Sequence, residues 1–103
     1  MYKSTILPLA KLDIKEAAKW YNDRKPGLGK RFTRHVRQKV KFIRQNPKAV
    51  AIRYKDTRTA LPDTFPYMIH FTMDEEQKLV IVSAVLSTHR DPDMWTERVN
   101  LNS

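Results

Sequence analysis

The sequence contains no cysteine. That excludes disulfide cross-links, thiol nucleophiles and thiolate metal sites, and it fits a reducing compartment. Glycine is almost missing. Its only two copies, Gly27 and Gly29, sit in one turn, and the spacing of a phosphate-binding loop is absent. No run approaches the roughly 18–20 consecutive apolar residues of a membrane span. The N-terminal stretch MYKSTILPLAKLDIKEAAK carries charge throughout and has no long apolar core. A secretory signal is therefore not expected, a cytoplasmic location is, and no membrane partner is implied. Acidic residues are lacking from the middle third. Between Arg24 and Lys55 there are twelve Lys or Arg and no Asp or Glu.

What is present describes a folding chain. At 103 residues, 41% of them hydrophobic, one domain over 1–103 with one modest core is expected. The length leaves no room for an elaborate cofactor cleft, and no cofactor is expected. Net charge is +9, and all of the excess lies in the acid-free block. From Asp56 onward the balance reverses, with four Lys or Arg against eight Asp or Glu. A helix face normally mixes both signs to gain i,i+4 pairs. An unmixed block points instead to phosphate backbones, anionic surfaces or acidic protein segments.

Periodicity gives the elements. YKSTILPLA reads as a first strand with Pro8 near its end. Asp13 followed by Glu16 reads as a capping-box start. Ile14, Ala17, Ala18 and Tyr21 recur at helical spacing, giving a first helix over about 13–24. DRKPGLG breaks it. A second helix over about 28–45 carries the stripe Leu28, Phe32, Val36, Val40 and Ile43. Arg31, Arg34, Arg37, Lys41 and Arg44 occupy its remaining faces, as candidates for anion or protein-partner contact. Pro47 ends it. AIRYKDTRTAL gives a second strand. FPYMIHFTM alternates as a half-buried strand, DEEQK is a hairpin loop, and KLVIVSAVL is apolar on both faces as an internal strand should be. DPDMWTERV gives a short terminal helix with Asp91 as N-cap and Pro92 at its first position. The expected fold is α+β, in the order β-α-α-β-β-β, with a helical hairpin packed on a small, mainly antiparallel sheet.

The words DIKEAAKWYNDRKPGLGKRF, NP, YKDTRTAL, FPYMIHF and AVLSTHRDPDMWTER, taken in order, resemble the RelE/ParE superfamily of bacterial type II toxins, often labelled plasmid stabilisation proteins. The resemblance spans nearly the whole chain. It implies a toxin neutralised by a cognate antitoxin, which is typically acidic and partly disordered when free. It also implies one of two activities. RelE-like members cleave mRNA on the ribosome, without a metal. ParE-like members poison DNA gyrase.

The resemblance also allows a comparison of the two activities. Metal-free RNA cleavage needs a group to activate the 2′-hydroxyl, one to neutralise phosphate and one to protonate the leaving oxygen. The Arg typical of the third strand in RelE-like enzymes falls at Met68, and the tail Tyr falls near Met94 or Trp95. Both positions depart from the nuclease pattern. Arg58, Arg90 and Arg98 are candidates for target or phosphate contacts under either activity. His70 and His89 are the only candidates to move protons, and each has a plainer reading. His70 alternates with Tyr67, Ile69 and Phe71, which places it on the opposite sheet face as a surface or second-core residue. His89 reads as an exposed turn residue, and His35, beside Val36, as structural. The three histidines lack metal-ligand spacing, so no metal site is expected. Trp20 and Trp95 read as packing residues. The Gly27-Leu28-Gly29 stretch reads as a hairpin turn ahead of a phosphate cradle. A gyrase poison needs a binding surface and no catalytic set, so the ParE-like branch is preferred. A basic nucleic-acid-binding module without toxicity is the alternative of a different class. It predicts salt-sensitive duplex binding and no growth arrest.

Overall fold

The computed structural model describes residues 1–89, 92, 93, 95 and 98. In chain order the elements are β1 (Lys3–Ile6), α1 (Pro8–Arg24), α2 (Leu28–Gln45), a single 3₁₀ turn (Pro47–Ala49), β2 (Ile52–Tyr54), β3 (Thr57–Ala60), β4 (Tyr67–Asp74) and β5 (Leu79–Ser87). The five strands lie in the order β1-β5-β4-β3-β2. β1 runs parallel to β5, and the other neighbours pair antiparallel. The fold is thus the expected α+β arrangement. The expected terminal helix, with its Asp91 cap, falls largely outside the described residues. Of that segment, the Trp95 N–H donates to the Pro92 carbonyl at 3.0 Å.

α2 has the expected bounds because its apolar stripe is unambiguous. Phe32, Val36, Val40 and Ile43 are buried, and Leu28 packs against them. They meet Ile69, Phe71, Val80 and Val82 of the sheet, and Ala10 and Ala17 of α1. Each large side chain buried there contributes roughly 1.5–3 kcal/mol. Tyr21, Phe32, Phe65 and Tyr67 form an aromatic knot, with centroids 5.0 to 6.0 Å apart.

α1 corrects the expected start. It begins at Pro8, not near Asp13. Proline has no N–H to leave unpaired and its φ is preset for the first helical position, so Pro8 opens the helix instead of closing the strand. Asp13 caps nothing. Its carboxylate accepts the Val85 N–H of β5 at 3.0 Å. β1 ends at Ile6, and the Leu7 N–H reaches only as far as the Val82 carbonyl. Asp13 therefore serves the strand edge beyond the reach of β1.

Two further expectations need correction. The single second strand is a hairpin, β2 and β3, turning at Lys55, whose φ is 50°. β4 is buried on both faces from Met68 to Phe71, not on one. The second face is covered by Tyr54 and Trp95, which pack with Met68, Ala84 and Leu86 into a small separate core.

Candidate functional site

The helical hairpin and β1 form a groove of about 680 Å³. Ile6, Ile14, Val36 and Val40 give it apolar walls, and Lys11, Lys15, Arg37, Lys41 and Arg44 line it with charge. A second, shallower depression of about 760 Å³ runs along both helices and is lined by Lys19, Lys30, Arg34, Arg37 and Lys41. Arg37 and Lys41 belong to both. The hairpin brings these side chains together through one close approach. A Cβ on Gly29 would lie 2.3 Å from the Ala18 carbonyl oxygen, so only glycine lets the helices meet there.

Among the described residues, none of the seven cations of α2 pairs with a carboxylate. Arg44 is anchored to backbone, its Nε donating to the Tyr2 carbonyl at 2.9 Å. Lys39 lies over the Phe42 ring at 4.8 Å. Like charges at i,i+3 and i,i+4 cost roughly 0.2–0.5 kcal/mol each, and this helix carries several. An anionic ligand relieves that repulsion.

Around His70 the second sheet face is packed and closed. Tyr54 Oη and His70 Nδ1 are hydrogen-bonded at 3.1 Å. Trp95 lies tilted against Tyr54 and edge-on to His70, with centroids 5.3 and 5.0 Å apart. His70 is fully buried. Burial, with the nearby Arg98 charge adding to it, pushes its pKa down to about 4, so the imidazole is neutral near neutral pH. Among the described residues, His70 Nε2 and Trp95 Nε1 have no hydrogen-bond partner. Burial also raises the pKa of Tyr54. Arg98 is clamped to α1. Its Nη2 donates to Asp13 Oδ1 at 2.8 Å and its Nη1 to Oδ2. Both side chains are largely buried, and the Asp13 carboxylate raises the Arg98 pKa.

The candidates named from sequence therefore lie apart. Arg58 pairs in register with Phe71, on the helix-covered face, and its Nη1 donates to the Val50 carbonyl. Arg98 and His70 belong to the neighbourhood of the second core. His89 is exposed in the turn after β5, its N–H donating to Ser87 Oγ at 3.2 Å. Arg90 lies outside the described residues. Arg31, Arg34, Arg37, Lys41 and Arg44 share α2; Arg31 alone lines neither depression. His35 Nδ1 lies 2.8 Å from the Asp63 carbonyl oxygen, tying α2 to the loop before β4. Trp95 packs as expected, but Trp20 does not. Trp20 is 48% exposed, with the Arg24 guanidinium 3.3 Å from its ring centre.

Sequence reasoning missed the α1 contribution of Lys11, Lys15 and Lys19. Their four-residue spacing puts them on one face, and that signal was available. It also missed Asp13 as the partner of Arg98, 85 residues away. Among the described residues, no helix is long and apolar enough to cross a membrane.

This fold has known counterparts. The structure is similar to one described as the chromosomal ParDE system from P. aeruginosa, with a TM-score of 0.72 and 16% identity over 84% of this chain and 96% of that one. It is also similar to the E. coli RelBE toxin-antitoxin complex, with a TM-score of 0.62 and 18% identity over 87% of this chain and 100% of that one. The isolated E. coli RelE toxin matches over 100% of both chains, with a TM-score of 0.62 and 18% identity. At such identities these likenesses speak for the fold. No curated protein matches in sequence. The family model for the ParE toxin of the type II toxin-antitoxin system, parDE, matches residues 5–92. That is most of the chain, and the protein belongs to the ParE toxin family within the RelE/ParE superfamily.

Proposed function

We propose that this toxin acts by inhibiting DNA gyrase and is held inactive by a cognate antitoxin. The observation that carries the gyrase reading is the closed part of the second sheet face around Met68 and His70. An endonuclease of the RelE kind would need an exposed cation at position 68 and an exposed proton carrier nearby. Met68 is 6% exposed, His70 0% and Trp95 7%; Met68 and Trp95 belong to a packed apolar core, and the His70 ring packs edge-on against Trp95. His70 is both out of reach of solvent and reluctant to take a proton. Inhibition by binding asks for no such group. Arg58 and Arg98 would reach an anionic target only by giving up the Val50 carbonyl and the Asp13 carboxylate, which leaves Arg90 as the arginine candidate for such a contact.

The antitoxin reading rests on the groove between β1, α1 and α2. Its apolar walls and cationic lining fit an amphipathic acidic segment that orders as it binds. The relatives of known structure include toxin-antitoxin complexes, which supports the same reading.

The test is supercoiled plasmid incubated with purified gyrase, ATP and the protein, with denaturant added to trap cleaved DNA. Toxin-dependent linear product is expected. Its absence, with gyrase otherwise active, together with ribosome-dependent cleavage of mRNA, would replace this reading with the endonuclease one.

A further inference from the structure

The shallow depression along the two helices carries as many cations as the groove beside it but none of its branched aliphatic walls. Its charged lining comes from Lys19 on α1 and from Lys30, Arg34, Arg37 and Lys41 on α2. The spacing 30, 34, 37, 41 keeps the four α2 cations on one face. At 1.5 Å per residue they extend along about 16 Å. One strand of a DNA duplex presents about five phosphates over that axial length. The neutral lining residues include Asn22 and Gln38, whose amide groups can donate hydrogen bonds to phosphate oxygens. Among the described residues, no carboxylate lines the strip.

We propose that this strip is a binding rail for the phosphate backbone of duplex DNA, independent of base sequence. Two observations favour a duplex over other polyanions. Among the described residues, no aromatic side chain lines the strip, so it offers no platform on which unpaired bases would stack. No Val, Leu or Ile among the described residues lines it, so it lacks the branched aliphatic walls on which an amphipathic peptide would seat, which the neighbouring groove has. The strip and the groove share Arg37 and Lys41. A segment seated in the groove therefore draws on two of the rail's five charges, and antitoxin and DNA weaken each other's binding. The rail goes beyond the gyrase reading and does not depend on it, because it concerns the chain alone with DNA.

The experiment is fluorescence anisotropy of a short labelled duplex with the purified protein, in the absence of gyrase. Five phosphate contacts give a slope of log affinity against log salt of about −4.5, a loss of roughly 500-fold between about 50 and 200 mM salt. Lys30→Gln combined with Arg34→Gln should reduce that slope by about 1.8. Lys3→Gln combined with Lys55→Gln removes the same net charge elsewhere and should leave the slope nearly unchanged. Circular dichroism melts confirm that both variants fold. Equal losses in the two double variants would overturn the rail, since net charge alone would then explain binding. Tighter binding to single strands than to duplex would overturn it as well. A negative gyrase assay would leave this result standing, and a failed duplex titration would leave the gyrase reading standing.

Discussion

His70 shows how one side chain can be read correctly from its neighbours and still carry an unexpected consequence. Alternation along β4 separates it from Ile69 and Phe71, and the structure puts it in the second core. Its pKa falls from 6.5 to about 4 on folding. Between those values the unfolded chain binds a proton that the folded chain does not. Stability from this residue is therefore complete above pH 6.5 and is lost as pH falls toward 4. The size is about 3 kcal/mol at most. His70→Phe keeps a ring against Tyr54 and Trp95 and removes the titration. Urea midpoints measured from pH 7 down to 4 should fall more steeply for the native protein than for the variant. Parallel curves would mean that His70 does not titrate across folding. Trp20 is the residue where the sequence misled. Its position next to Tyr21 on an amphipathic helix suggested burial, but helix phase turns it outward, where Arg24 stacks on it.

At the scale of elements, legibility follows how local the determining interaction is. The α2 bounds come from a stripe within the helix and a proline just beyond it, and all of that is visible in the chain. The start of α1 was hidden because two signals competed. Asp13 and Glu16 have capping-box spacing, but Pro8 opens the helix, and Asp13 is recruited by β5 and Arg98. The hairpin joining the helices offers a sharp test of its two glycines. Gly29→Ala gains up to about 1 kcal/mol of helix propensity but drives a Cβ into the Ala18 carbonyl. Net destabilisation of about 1–3 kcal/mol is expected. Gly27 has φ of +90° and nothing near its absent side chain. Gly27→Ala should therefore cost only the backbone strain, about 1–2 kcal/mol. A melt of Gly29→Ala matching the native protein would show that the helices separate freely and that their close approach is not structural.

The whole molecule is where single-sequence reading stops. Nothing local announces that β1 crosses two helices to lie parallel to β5, or that Arg98 closes onto Asp13. The charge block was legible, yet the sequence placed it on α2 alone. The fold makes it a two-helix surface by adding Lys11, Lys15 and Lys19. That assembly separates two kinds of binding by position. Lys11 and Lys15 line only the apolar groove, and Lys30 and Arg34 line only the shallow strip. If the groove holds an acidic antitoxin segment, Lys11→Glu combined with Lys15→Glu puts repulsion at its mouth and leaves the apolar walls untouched. Affinity for the antitoxin should fall at least roughly tenfold at low salt, mainly through slower association, and the deficit should shrink as salt screens it. Titration calorimetry and stopped-flow association with the cognate antitoxin would measure both effects. Unchanged association rates at low salt would place the antitoxin on another surface and leave the groove without its proposed occupant.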